Sequence, residues 1–85
     1  MSQDATEGAI REILQVYGRL NRPVSEVRPD TDLFQIGLDS QAVINVMLAI
    51  EEKFDFEFPE DKLNRAAFTT IRIIADVIQS AGAAA

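Results

Sequence analysis

The chain contains no cysteine and no histidine. The first absence excludes a disulfide, a thiolate nucleophile and sulfur-ligated zinc. The second removes the usual general base near neutral pH and the commonest transition-metal ligand. No Cys- or His-based catalytic residue and no metal site built on those side chains are therefore expected. Basic residues are scarce as well: eight Lys and Arg stand against fourteen Asp and Glu, a net charge of −6. Phosphate contacts require clustered Lys and Arg, so no nucleic-acid partner is expected. A partner with a basic patch is favoured instead, through electrostatic steering. There is no run of about 18 apolar residues and no basic stretch ahead of an apolar one, so neither a membrane span nor a secretory signal is expected. The expected location is the cytoplasm.

What the chain does have is apolar content, 47% of 85 residues, enough for a core and too much for wholesale disorder. That length accommodates one small domain, 1–85 with its core over about residues 4–81, burying about 60–65% of its unfolded surface. Residues 1–3 are expected to fray. Asp4 precedes Glu7 with the spacing of a capping box, and Ile10, Ile13, Leu14 and Tyr17 then recur at i, i+3, i+4 and i+7. This predicts a first amphipathic helix ending near Gly18 or Leu20, with Glu7 and Arg11 as an exposed pair of small value. Pro23 and Pro29 interrupt helix over residues 21–39. So long a connection needs anchors, and Val24, Val27, Leu33, Phe34, Ile36 and Leu38 are the candidates, with a short turn at Ser25. Asp30-Thr31-Asp32 opens like a calcium loop, but Gln35 and Gln41 stand where the turn glycine and the bidentate glutamate belong, so a tight turn is expected there.

A second helix is predicted over residues 40–54, burying Val43, Val46, Met47, Ile50 and Phe54 and leaving Ile44 and Leu48 partly exposed. Residues 55–59 alternate acidic and apolar side chains before Pro59, which reads as an extended link that folds Phe56 and Phe58 onto the core. A short helix follows over 60–65, with acids at its positive end. The last helix opens at Phe68-Thr69-Thr70, with a threonine cap and Phe68 as a staple, and buries Ile71, Ile74, Val77 and Ile78 before a cap at Gly82. The fold class is all-α: an antiparallel four-helix bundle of three main helices and one short one, with a long first loop.

The chain is organised around Leu33-Phe34-Gln35-Ile36-Gly37-Leu38-Asp39-Ser40, an apolar loop leading to a helix start with a hydroxyl at its mouth. Either Asp39 or Ser40 suits a cap, because a side-chain oxygen there accepts from a first-turn N–H. The Gly37-Leu38-Asp39-Ser40 motif, the helix ending Ile50-Glu51-Glu52-Lys53-Phe54 and the Phe58-Pro59 that follows also resemble the acyl carrier protein family, over about residues 10–78. The resemblance implies a 4′-phosphopantetheine arm carried covalently on Ser40, whose terminal thiol holds cargo as a thioester. Such an arm supplies the thiol that this sequence does not encode. It also implies that Asp39 supports the modification by helping to place the transferase's magnesium.

Two departures from the family bear on partners. Gln41 follows the serine where leucine is usual, and Ala42 and Asn45 stand where fatty acid carriers present acids to their enzymes. Glu51 and Glu52 keep the acidic pattern. The expected partner contacts are Leu38, Gln41, Ile44, Leu48, Glu51 and Glu52. The implied role is a stand-alone, monomeric, non-catalytic carrier. Its partners would be a phosphopantetheinyl transferase, an acyl- or aminoacyl-loading ligase and downstream transferases. Residues 55–59 with Leu63-Asn64-Arg65 are similar to small discrete carriers charged with amino acids. Two rivals stand beside this: an unmodified acidic interaction module in which Ser40 is only a cap, and a small hydrolase pairing Asp39 with Asp32.

Overall fold

An amphipathic stripe, three proline interruptions and two strong capping sites divide this chain into three α-helices joined by single-turn segments. The computed structural model describes residues 3–80, with no β-strand among them. The side chain of Asp4 and the cap expected at Gly82 lie outside what is described. Helix α1 is Gln3–Ile13. It runs directly into a π-helical turn, Leu14–Gly18, closed by Arg19 in the left-handed conformation (φ 57°, ψ 37°).

Ile10, Ile13 and Leu14 enter the core as their spacing predicts, but Tyr17 does not. Tyr17 is 44% exposed because the π-turn adds a residue to the helical repeat and rotates the last part of the stripe off the buried face. The expected Glu7–Arg11 pair is also replaced. Arg11 Nη1 donates to the carbonyls of Val24 (2.8 Å) and Val27 (2.6 Å), fastening the following loop to α1. The guanidinium makes two charge-assisted hydrogen bonds to loop carbonyls, one of them the Val24 carbonyl that also accepts from Val27 N–H, which a surface ion pair of small value does not outweigh.

The loop between residues 19 and 39 is ordered by anchors of two kinds. Val27, Leu33, Ile36 and Leu38 are buried, and Val24 and Phe34 pack at the edge of the core. Backbone hydrogen bonds complete the pinning: Asn21 N–H to Ile36 O (2.8 Å), Leu33 N–H to Thr69 O (2.8 Å) and Arg72 N–H to Pro29 O (2.9 Å). Single 3-10 turns form at Val24–Glu26 and Leu33–Ile36. Thr31 Oγ1 accepts from Arg28 N–H and Asp32 caps the second turn by accepting from Phe34 N–H, so the acidic Asp30-Thr31-Asp32 segment is the tight turn its sequence predicts. Asp30 faces Arg72 at 3.9 Å, an exposed pair that contributes little.

Gly37 ends the Leu33–Ile36 turn at φ 119°, a backbone state that side-chain-bearing residues rarely adopt. A Cβ there would sit 3.0 Å from Arg19 O and 3.3 Å from Asn21 N. Gly37→Ala is therefore expected to cost about 2 kcal/mol in urea denaturation followed by circular dichroism. Gly8 on α1 has nothing within 4 Å of its Cβ position, so Gly8→Ala is the control, expected to raise stability by about 0.5–1 kcal/mol. Equal effects at the two glycines would refute the strain at Gly37.

Helix α2 is Ser40–Phe54, matching its predicted bounds, and ends on Asp55 in the left-handed conformation (φ 56°). Its buried line is Ala42, Val46 and Ile50; Val43, Met47 and Phe54, expected at the centre of that face, are half-buried at its edge. The helix is rotated because α1 and the π-turn cover it from one side only, leaving the other edge to line a groove.

Beyond α2, Phe58 is buried and stacks at a tilt between Phe56 (5.0 Å) and Phe68 (5.1 Å). The predicted short helix takes the form of two 3-10 turns, Glu60–Lys62 and Arg65–Phe68. Asn64 divides them. Its side chain donates to Asp61 O (2.8 Å) and accepts from Ala67 N–H (3.1 Å), ending one turn and capping the next. Helix α3, Ile71–Ser80, is capped by Thr70, whose hydroxyl accepts from Ile73 N–H. It buries Ile71, Ile74, Ala75, Val77 and Ile78 against α1.

Candidate functional site

Gly37 turns the chain, Leu38 anchors it, and Asp39 starts α2. The Asp39 carboxylate accepts from Ala42 N–H at 2.8 Å, with the residue in an extended conformation (φ −130°, ψ 177°). Asp39 is thus the cap, and Ser40 is the first helical residue with its side chain exposed. This separates two roles that the sequence leaves interchangeable. The carboxylate satisfies the helix end, so the hydroxyl is not needed there. Asp32, the other acid of the hydrolase reading, is likewise engaged in capping its own turn.

Ser40 lines a groove of about 370 Å³ with Val43, Ile44 and Met47 from its own helix. These positions are i+3, i+4 and i+7 from the serine and so share one helical face with it. Phe34, Leu63, Asn64, Arg65 and Phe68 close the other walls. The Arg65 guanidinium lies over the Phe34 ring, 3.9 Å from its centroid. An exposed primary hydroxyl beside an apolar trough suits a flexible arm: the point of attachment is open to an enzyme, and the trough receives part of what is attached.

The six residues expected to meet partners are distributed differently from one another. Gln41 and Ile44 are exposed beside Ser40. Leu48 and Glu52 are exposed too, but line a second groove of about 420 Å³ formed with Ile13 and Tyr17 on the α1 side. Leu38 is 4% exposed and belongs to the core, which bears out its place among the loop anchors and is a correction to its place among the partner contacts. Its N–H bonds to Leu33 O, which folds the side chain inward with the other loop anchors. Glu51 accepts from Phe58 N–H at 2.9 Å and so holds the link after α2 against the helix. Val43 and Met47 belong to the groove on spacing alone, once Ser40 is taken as the reference. Phe34, Leu63 and Arg65 carry no such signal, because they reach the serine only through the fold.

No helix among the described residues is long and apolar enough to cross a membrane. A family model described as the phosphopantetheine attachment site matches residues 9–78. An aminoacyl carrier protein of Agrobacterium fabrum is 46% identical over 70 residues, 82% of this chain and 84% of that protein. Aminoacyl carrier protein 1 of Bradyrhizobium diazoefficiens is 31% identical over 60 residues, 71% of this chain and 67% of that one. One solved structure holds a carrier protein from Agrobacterium tumefaciens complexed with an engineered Bradyrhizobium japonicum glycine:carrier protein ligase and ATP. The chain matches it with a TM-score of 0.85 and 43% identity, covering 88% of this chain and 97% of that one. With most of its length inside the family model, the chain belongs to the phosphopantetheine attachment-site family, the carrier proteins whose prosthetic group is 4′-phosphopantetheine.

Proposed function

We propose that this chain is an aminoacyl carrier in which Ser40 is the attachment point, and that it acts as a stand-alone, monomeric domain in the cytoplasm without catalysing a reaction itself. The observation that carries this reading is the division of labour at the start of α2: Asp39 caps the helix and leaves the Ser40 hydroxyl exposed beside an apolar groove. When bound, the prosthetic group supplies a terminal thiol that holds cargo as a thioester. Attachment is a phosphoryl-type transfer from coenzyme A: the Ser40 oxygen bonds to the phosphorus that bears the pantetheine, the pyrophosphate P–O bond breaks and adenosine 3′,5′-bisphosphate leaves. The serine proton passes to a base of the transferase, which is also the main provider of the metal and in-line geometry. Asp39, adjacent to the nucleophile, supports the placing of that metal.

Tethering explains why a protein without catalytic groups is useful. An arm rooted at a fixed helix end presents an activated acyl group to successive enzymes at high effective concentration. The pinned first loop contributes by holding that root in place. Gln41 and Ile44, exposed next to the serine, are the contacts proposed for the transferase and the loading ligase, while Leu48 and Glu52 form a separate face. An amino acid is the favoured cargo because two relatives are aminoacyl carrier proteins and a solved neighbour sits in a complex with an amino acid ligase.

The test is intact-protein mass spectrometry in two stages. Incubation with coenzyme A, magnesium and a promiscuous phosphopantetheinyl transferase is expected to add one phosphopantetheinyl group. Subsequent incubation with glycine, ATP and a glycine:carrier protein ligase is expected to add one glycyl group, released by neutral hydroxylamine as a thioester should be. Absence of the first gain with several transferases refutes the carrier reading; absence of the second, across a panel of amino acids and ligases, refutes only the cargo.

A further inference from the structure

Arg65 opens the Arg65–Phe68 turn, and among the described residues it is the only basic side chain lining the groove that contains Ser40. In a chain of net charge −6 an arginine normally finds a carboxylate, yet among the described residues Arg65 makes no ion pair. It is held instead by its stack on Phe34, 3.9 Å from the ring centroid. Phe34 is itself fixed: its N–H donates to Asp32, and its ring packs against the core. A guanidinium stacked through its face keeps its N–H edge for an oxyanion, and two such bonds recognise a phosphate better than an ammonium does.

The anion that the groove would receive is the phosphodiester at Ser40. It adds a negative charge beside Asp39, whose carboxylate is already turned to the helix end. Like charges at adjacent residues repel, and a nearby cation relieves this. We propose that Arg65, preorganised by Phe34, is the counter-charge of the phosphodiester on Ser40 and directs the root of the arm along the groove. This rests on Ser40 being the attachment point. It makes Arg65 a positioning residue: the arm leaves the helix end in a preferred direction, over Val43 and Met47, and added salt loosens that preference.

The test uses the wild-type chain and three variants, Arg65→Gln, Arg65→Lys and Phe34→Leu, each modified by the transferase and checked by intact mass. Phosphorus NMR of each product is recorded natively and in urea. The native wild-type resonance should be displaced from its urea position. Arg65→Gln should lose most of that displacement, while Arg65→Lys and Phe34→Leu, which keep charge or guanidinium but not the stack, should lose part of it. Independently of any variant, the Arg65 Nε–Hε signal should move downfield when the apo chain is modified. Complete modification with the same phosphorus shift in wild type and Arg65→Gln, or an unmoved Nε–Hε signal, overturns the proposal. A wild-type chain that gains no mass overturns the attachment reading as well, so the two failures are told apart in the first spectrum.

Discussion

Ser40→Ala takes up no phosphopantetheinyl group from coenzyme A, and keeps the stability of the parent chain to within about 0.5 kcal/mol. Both halves of this expected result follow from the geometry at the start of α2. The hydroxyl is the sole nucleophile proposed for the transfer, so its removal abolishes modification outright. Its removal costs the fold little because Ala42 N–H is satisfied by Asp39, at 2.8 Å, and because residue 40 is exposed at a helix position that alanine fills well. Asp39→Ala is expected to show the reverse pattern. Loss of the cap costs about 1 kcal/mol, and modification slows without being abolished. Intact mass and urea denaturation on the two variants measure both axes. A Ser40→Ala chain that still gains the group places the attachment elsewhere. One that loses as much stability as Asp39→Ala restores Ser40 as a cap.

Phe68→Ala is the substitution expected to damage the fold most, by about 3–5 kcal/mol. Phe68 is 1% exposed, the largest fully buried side chain among the described residues, and its ring meets that of Phe58 at 5.1 Å. Truncation removes the transfer energy of the ring and leaves a cavity that pinned neighbours cannot collapse into. It also removes the favourable tilted packing of the Phe68 ring on Phe58. For a chain of 85 residues the whole stability is of the order of 4–13 kcal/mol, so a loss of this size brings the protein near its unfolding threshold. Phe68 also lines the Ser40 groove, and its truncation opens that groove into the core. Circular dichroism at rising urea concentration should show a large fall in midpoint with little change in slope. A loss below about 1 kcal/mol would mean that the ring is not a core element.

Much of this architecture is legible in the sequence. The bounds of α2, the anchored first loop, the folding-in of Phe56 and Phe58 and the threonine cap of α3 all follow from local signals: capping chemistry, proline, and apolar spacing over short windows. The glycine of the Gly37-Leu38-Asp39-Ser40 motif is legible as motif, but the reason for it is not. The closeness of Arg19 O and Asn21 N to its missing Cβ depends on the chain after the π-turn passing behind the loop, where Gly37 sits at φ 119°. The same holds for Arg11. As a helix residue four from Glu7 it suggests a surface pair; as a neighbour of the loop it closes two carbonyls.

Where sequence and structure differ, a residue had two locally acceptable environments and a distant element chose between them. Tyr17 fits the stripe of α1, but the π-turn carries it off that face. Leu38 suits both a loop anchor and a partner contact, and the inward fold of the loop selects the anchor. Val43 and Met47 fit the buried face of α2, yet the covering of that helix by α1 and its π-turn leaves them at the edge of the groove.

The sequence by itself determined the all-helical class, the helix starting at residue 40, and the hydroxyl at its mouth, because those features rest on interactions within a few residues along the chain. Which of Asp39 and Ser40 is the cap is a choice between two local hydrogen bonds that the sequence leaves open and the structure resolves to Asp39; tertiary packing alone decided that Ser40 opens onto an apolar groove. It alone placed Arg65 over Phe34 at the edge of that groove. The groove and the Arg65–Phe34 stack join segments far apart along the chain, 31 residues from Phe34 to Arg65, and only packing around a shared core brings such segments within reach.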